Sequence, residues 1–189
     1  MKRVLILLAF LAISLTPLMG QGRARVSILG DSYSTFAGYI PQGNAVWYTG
    51  GSERTDVTDV RQTWWWQVVR DGGYLLEKNE SFSGATVSYR GYNGADYSDR
   101  SFITRLPRLG SPDIVLIFGG TNDSWAGVEV GAFKYDKIVR EDITSSTVEI
   151  CRHYGIPFIE LQDVSKQNGH PDIAGMKAIA SQVLAALQP

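Results

Sequence analysis

Residues 113–120 have the sequence DIVLIFGG, an apolar run of strand length that ends in two glycines. A short apolar run bounded by turn residues is typical of a strand buried in a sheet. Two further runs, RVSILG at residues 25–30 and the weaker YLLEKNE at residues 74–80, predict two more strands. These runs supply the strands of one predicted sheet.

Helical patterns alternate with the strands. Residues 60–71 form a predicted helix that two glycines end, and apolar residues recur at helical spacing between residues 143 and 154. The sequence IPFIEL at residues 156–161 predicts a further strand, and Pro171 is expected to open the last helix, where proline is well tolerated. This alternation predicts an α/β fold, a three-layer α/β/α sandwich with a mostly parallel sheet covered on both faces.

The composition limits the classes of protein to consider. A chain of 189 residues has the length of one domain. Its 18 basic and 19 acidic residues give a net charge of -1, and no basic stripe stands out. Nucleic acid is therefore not expected as a partner.

The N-terminus has the pattern of a signal peptide. Lys2 and Arg3 precede an almost wholly apolar segment at residues 4–15, which is short for a membrane span and is followed by small residues. We therefore expect residues 1–20 to be a signal peptide and residues 21–189 to be the folded domain. The domain would be exported to the periplasm, the cell surface or the medium, without stable membrane insertion after cleavage. The alternative is an uncleaved anchor.

Polar residues and glycines follow the predicted strands. In open α/β sheets, ligands bind beyond the carboxyl ends of the strands. Ser32, Gly84 and Asn122 come after the three strands in turn, and His170 comes just before the last helix. The sequence thus predicts that these four residues share one rim of the sheet.

This set of residue types suits acyl transfer. A serine hydroxyl becomes a good nucleophile when a base takes its proton, and the tetrahedral intermediate needs fixed N–H donors. The chain has two histidines. His153 falls inside a predicted helix beside core positions, whereas His170 lies in a loop at the mouth of the sheet. His170 is therefore the predicted base for Ser32.

Four motifs in order, GDSYS, SFSGAT, GGTND and HPDIAG, resemble the four sequence blocks of the SGNH hydrolases, also called the GDSL-like family. The resemblance covers nearly the whole of residues 21–189 and implies a flavodoxin-like SGNH-type hydrolase domain. It implies that Ser32 is the nucleophile and His170 the general base. It also implies an oxyanion hole made of the Ser32 N–H, the Gly84 N–H and the Asn122 side chain. No metal or organic cofactor is implied, and the expected substrates are carboxylic esters of sugars, lipids and small acyl groups.

The chain departs from the family pattern at the position three residues before the base. The family usually has an aspartate there, which holds the imidazole in the right tautomer, but this chain has Gln167. Asp163 is the tentative replacement if its loop folds back, and Asp172 lies on the far side of Pro171. A backbone carbonyl or Gln167 itself is the other alternative, so a Ser–His dyad with an open third position is predicted.

The interval between Asn122 and His170 is also short for this family. It has room for one predicted helix and one predicted strand, while a further strand–helix–strand unit takes roughly 30 residues or more. The sequence therefore predicts a sheet short of one strand and its helix between residues 131 and 141, with four strands rather than five. Such a loss is expected to leave open sheet edges and exposed apolar surface.

The rim loops are rich in aromatic residues. Aromatic faces pack well against sugar rings, and tyrosine adds a hydroxyl for hydrogen bonds. We expect an exported esterase that removes acyl groups, above all acetyl groups, from a carbohydrate. The alternative is a catalytically weak or inactive carbohydrate-binding protein on the same scaffold. The predicted substrate-binding residues are Asp31, Tyr33, Trp47, Tyr92 and Trp125.

Overall fold

The structure is a computed structural model that describes residues 22–128, 148–149 and 151–188. Its main sheet has three parallel strands in the order β2–β1–β3 among these residues. The strands are β1 (Arg25–Gly30), β2 (Leu75–Asn79) and β3 (Ile114–Phe118). The most buried strand, β1, is central, because a middle strand is covered by neighbours on both sides. The predicted α/β class with a parallel sheet is confirmed.

Two helices cover one face of the sheet. Helix α1 (Trp64–Asp71) packs against the C-terminal helix α4 (Ile173–Leu187), and both pack on β1 and β3. The aromatic run that begins α1 is divided: Trp64 and Trp65 are buried, and Trp66 is half-buried. Burial of a large aromatic side chain contributes about 4 kcal/mol before entropy is counted. This cluster is the main core of the domain.

A smaller layer covers the opposite face. Helix α2 (Phe102–Arg105) lies there, and a second core cluster joins Leu29, Ala85, Phe102 and Leu109. Helix α3 (Thr121–Ala126) follows β3 directly. The layers on the two faces agree with the predicted sandwich.

A short hairpin precedes α4. Strands β4 (Lys166–Gln167) and β5 (His170–Pro171) pair in antiparallel fashion, and Gln167 lies opposite His170. The two turn residues both have positive φ angles, 50° at Asn168 and 76° at Gly169. This is the type I′ turn that Asn-Gly favours in two-residue hairpins. The hairpin thereby fixes the backbone that carries His170.

Two sequence predictions are wrong in the C-terminal part. Residues 156–161 form no strand; Ile156 and Phe158 are exposed, although Ile159 and Leu161 pack against the core. Pro171 does not open α4 but ends the hairpin, and Asp172 caps the helix by accepting a hydrogen bond from the Gly175 N–H at 2.8 Å. The predicted signal peptide and the predicted gap between residues 131 and 141 lie outside the described residues.

Apolar side chains are exposed on β3. Alternate residues of a strand point to opposite faces, so Val115 and Ile117 share one face of β3. Val115 is 41% exposed and Ile117 is 63% exposed. An apolar face of β3 is therefore exposed within the described part of the chain. None of the helices in residues 22–128, 148–149 and 151–188 combines the length and the apolar character of a membrane span.

Candidate active site

A tight turn after β1 presents Ser32. The Asp31 carboxylate accepts a hydrogen bond from the Tyr33 N–H at 3.0 Å and starts a single 3-10 turn over Ser32–Ser34. Gly30 must be glycine, because a Cβ atom there would lie 2.4 Å from the Ser34 Oγ. The apolar strand and this capped turn together hold Ser32 at the carboxyl edge of the sheet.

The hydroxyl of Ser32 meets the imidazole of His170. The distance from the Ser32 Oγ to the His170 Nε2 is 2.9 Å, and both residues are buried. The other ring nitrogen, Nδ1, lies 3.2 Å from the backbone oxygen of Asn168. A carbonyl oxygen can only accept, so Nδ1 carries the hydrogen and Nε2 is left as an acceptor for the serine O–H. The geometry therefore sets the tautomer that a general base needs.

The surroundings of His170 favour its neutral form. Burial lowers the pKa of the imidazole below its ordinary value of 6.5, and the hydrogen bond to Asn168 opposes this effect. The charges of Arg54 and Lys166 lower the pKa further. At neutral pH the ring is therefore ready to accept a proton.

Three candidate N–H donors come from the segments that follow β1, β2 and β3. The Ser32 N–H begins its turn and has no acceptor among the described residues, and Gly84 has a φ angle of 83°, which favours glycine. The Asn122 Nδ2 donates to the Ala85 oxygen at 3.0 Å, and its Oδ1 accepts a hydrogen bond from the Tyr92 hydroxyl at 3.2 Å. An amide nitrogen has two hydrogens, so one remains for an oxyanion.

Neither nearby acid contacts His170. The side chain of Asp163 is 93% exposed and pairs with Lys166 at 3.5 Å. Asp172 caps α4 and accepts a hydrogen bond from the Ser165 hydroxyl. Gln167 accepts a hydrogen bond from the Asp56 N–H at 2.8 Å. The structure thus does not bring the tentative orienter Asp163 to the imidazole, because the tight hairpin gives that position to the Asn168 carbonyl.

The predicted substrate-binding residues fall into two groups. Asp31 is 1% exposed and Tyr33 is buried, with its hydroxyl donating to the Gly169 oxygen at 2.7 Å, so the structure places both behind the nucleophile rather than at the surface. Tyr92 is half-buried beside Asn122, and Trp125 is 56% exposed next to Gly169. The half-buried Trp47 stacks on His170 itself. Tyr92, Trp47 and Trp125 therefore surround the catalytic edge.

Several contacts that support the His170 loop could not be predicted from any local sequence pattern. The Tyr48 hydroxyl donates to the Pro171 oxygen at 2.8 Å, and the Asn168 Nδ2 donates to the Arg54 oxygen at 2.7 Å. These contacts join segments more than 100 residues apart. Asn168-Gly169 is the exception, since Asn-Gly is a strong hairpin signal in a sequence. That signal alone identifies the turn that carries the base.

Buried ionisable side chains, Asp31 and Arg105, lie behind the serine turn. Arg105 donates to the backbone oxygens of Gly30, at 3.0 Å, and of Glu80. Burial raises the pKa of Asp31 to about 7, while the Tyr33 N–H and the Arg105 charge act in the opposite direction.

No group of three or more histidine, cysteine, aspartate or glutamate side chains suited to a metal ion occurs in the described part of the chain.

The Ser32–His170 dyad lies at the carboxyl edge of a parallel sheet in an α/β fold, and comparison with known proteins gives the family. The family model for GDSL-like lipase/acylhydrolase matches residues 24–144 and 137–187. The chain belongs to this family, and so is a hydrolase of the SGNH type. No protein of curated function matches the chain.

Two crystal structures assigned as GDSL-like lipases are similar over almost their whole length. The one from Bacteroides uniformis is 45% identical with a TM-score of 0.83, and the match covers 89% of this chain and 97% of that one. The one from Bacteroides ovatus is 43% identical with a TM-score of 0.81, covering 86% and 97%. A family two carbohydrate esterase from Clostridium thermocellum, in complex with cellohexaose, shares the fold at 18% identity and a TM-score of 0.57, covering 86% and 62%.

Proposed function

We propose that the protein is a serine esterase that removes small acyl groups, above all acetyl groups, from a carbohydrate. The observation that carries this proposal is the 2.9 Å contact between the Ser32 Oγ and the His170 Nε2, in the tautomer that the Asn168 carbonyl sets. The Gly84 N–H and the Asn122 amide, in the segments that follow β2 and β3, support the proposal as candidate donors to the oxygen of an attacked ester carbonyl.

The reaction follows from these positions. The Ser32 Oγ attacks the carbonyl carbon of the ester while the His170 Nε2 takes the hydroxyl proton. The negative oxygen of the tetrahedral intermediate is held by the Ser32 N–H, the Gly84 N–H and the Asn122 amide. The intermediate then expels the alcohol, which leaves with the proton from His170, and an acyl group remains on Ser32. Water attacks this acyl-enzyme with His170 again as base, releases the carboxylic acid and restores the serine.

The character of the mouth supports a carbohydrate ester rather than a lipid. Trp125 offers a largely open indole face beside Gly169, and the Tyr92 ring pairs with the Tyr97 ring at 6.5 Å between centroids. Flat aromatic faces with polar tips suit sugar rings, whereas an acyl chain needs a broad aliphatic surface. These residues would contact the sugar that carries the ester.

We also propose that the enzyme is exported. The basic residues Lys2 and Arg3, followed by the apolar segment at residues 4–15, support this location. Mass analysis of the protein recovered from each cell fraction tests it. A shortened chain outside the cytoplasm is expected, and a full-length chain in the cytoplasm would contradict it.

Hydrolysis of a small chromogenic acetate ester tests the catalytic proposal. Wild type is compared with Ser32→Ala and with Ser98→Ala, a matched change at an exposed serine far along the chain from the turn. We expect Ser32→Ala to lose activity and Ser98→Ala to keep it. Equal rates in wild type and Ser32→Ala would reject the esterase and favour a carbohydrate-binding protein. Release of acetate from acetylated glycans, compared with hydrolysis of long-chain esters, then tests the substrate class.

A further inference from the structure

Trp47 lies flat against the catalytic histidine. The centroids of the Trp47 and His170 rings are 3.5 Å apart, and the angle between the ring planes is 8°. No other aromatic contact of His170 is parallel among the described residues: the Tyr33 ring meets it at 65° and the Tyr48 ring at 77°. One face of the imidazole is therefore covered by the indole, while the tyrosine rings approach it edgewise.

The backbone of the same tryptophan is tied to the nucleophile turn. The Thr35 hydroxyl donates to the Ser32 backbone oxygen at 2.9 Å and accepts a hydrogen bond from the Trp47 backbone N–H, also at 2.9 Å. Since one hydroxyl links Ser32 to Trp47, and Trp47 covers His170, the two members of the dyad share one support. A shift of either member would break a contact with this support.

The indole is held here although its own polar group is unsatisfied. The Trp47 Nε1 is buried and has no hydrogen-bond partner among the described residues. An unpaired buried donor costs stability, so the contact that Trp47 makes through its ring face offsets this cost. Trp47 also packs against the main hydrophobic core, and the Arg54 guanidinium lies 4.8 Å from its ring centroid. An Arg54 nitrogen donates to the Trp47 backbone oxygen at 3.3 Å.

We propose that Trp47 is a positioning residue for His170, and that its indole face does part of the work that an aspartate does in a full triad. The inference rests on the proposed esterase function. An acid next to the base holds the imidazole plane and stabilises the imidazolium that forms when the serine loses its proton. The parallel indole holds the plane by contact, and the negative face of its ring attracts the positive ring.

The effect appears in the turnover step rather than in substrate affinity. Removing an interaction that strengthens only when the imidazolium forms lowers kcat and leaves KM unchanged. A desolvated contact between a cation and an aromatic face corresponds to about a tenfold change in rate. A tryptophan that only stacked on a sugar would instead change KM on a glycan ester and leave the small ester unaffected.

The test uses Trp47→Leu, Trp47→Met and Trp47→Phe with the small acetate ester. We expect the two aliphatic variants to lose about tenfold in kcat with KM nearly unchanged. Trp47→Phe keeps an aromatic face, removes the unpaired N–H and is expected to retain most of kcat. Trp66→Leu is the matched control, because Trp66 is a half-buried indole on α1 that contacts Tyr39 and lies outside the site. Wild-type kcat in either aliphatic variant, or a change confined to KM, would overturn the proposal.

Nitrogen NMR of the His170 ring separates this inference from the esterase proposal. If wild type and Ser32→Ala hydrolyse the ester equally, the esterase proposal fails, but the ring can still be observed. In wild type and Trp47→Phe the hydrogen is expected on Nδ1, held there by the Asn168 carbonyl. Trp47→Leu is expected to let the ring turn away from that carbonyl, which weakens the hydrogen bond and populates both tautomers. The same single tautomer in all three proteins would overturn the positioning role whether or not the protein is an esterase.

Discussion

The backbone oxygen of Asn168 lies 3.2 Å from the Nδ1 of His170, the ring nitrogen that a carboxylate orients in a full serine triad. Asn168 provides this oxygen because it has a φ angle of 50° in the type I′ turn. The orienting group is therefore a consequence of turn geometry, and no substitution can delete it without changing the turn.

The turn can be tested with a matched pair of variants at position 168. Asn168→Gly keeps the left-handed backbone and loses only the hydrogen bond to the Arg54 oxygen. Asn168→Ala loses the same bond and also pays about 1–2 kcal/mol for the left-handed conformation. We expect the alanine variant to have a kcat about tenfold below that of the glycine variant, since that energy corresponds to a factor of about 5–30. Equal kcat values would show that the turn does not orient the base.

Much of the fold follows from local pattern. The runs that form β1 and β3 are apolar and end in glycine, and strands of a parallel sheet must end at one edge. Ser32, Asn122 and His170 could therefore be placed together from the sequence. Residues 156–161 are also an apolar run, but an apolar run needs a neighbouring strand before it can pair. The sequence does not show whether such a neighbour exists.

The details of the site depend on long-range contacts. Asp31 and Tyr33 follow β1 and are polar, so the sequence places them on the rim; the 3-10 turn directs both inward. Asp163 is close to His170 along the chain but separated from it by the hairpin. The stacking of Trp47 on His170 joins residues more than 100 positions apart, and no local pattern indicates it.

The oxyanion hole is tested by Asn122→Ala. Its side chain is the donor with the longest reach at the site, and loss of one such donor typically lowers kcat by ~10²–10³. Tyr92→Phe removes the hydroxyl that donates to the Asn122 Oδ1 at 3.2 Å and is expected to have a much smaller effect, because the bond from Asn122 to the Ala85 oxygen remains. Kinetics on the acetate ester measure both. A larger loss in Tyr92→Phe than in Asn122→Ala would argue that Asn122 is structural.

The acid limb of the pH profile reports the charge near His170. Burial and the charges of Arg54 and Lys166 lower the pKa of His170 below its ordinary value of 6.5. The base is therefore still neutral at pH 6.5, and kcat/KM is expected to fall only at lower pH. Arg54→Gln removes a positive charge, so the imidazolium becomes less unfavourable and the midpoint moves to higher pH. Lys166→Gln should move it in the same direction by less. A midpoint that moves to lower pH in Arg54→Gln would contradict the assigned sign.

Asp31 makes stability depend on pH in the direction opposite to that of an exposed acid. Its pKa is 3.8 as an ordinary carboxyl and about 7 in the folded protein, because burial disfavours the charged form. Between about pH 4 and pH 7 the unfolded chain ionises Asp31 and the folded protein keeps it protonated, so the free energy of unfolding falls as pH rises through this window. Asp31→Asn keeps an oxygen for the Tyr33 N–H and removes the titration. Relative to this variant, the free energy of unfolding of wild type is expected to fall by up to about 4 kcal/mol across the window, as measured by urea unfolding.

Asp96→Asn is the control. The pKa of Asp96 is lowered by its hydrogen bonds to Ser98, so the difference in stability between wild type and Asp96→Asn should be small and of opposite sign. Parallel stability curves for wild type and Asp31→Asn would mean that Asp31 is already ionised in the fold, with Arg105 as its counter-charge.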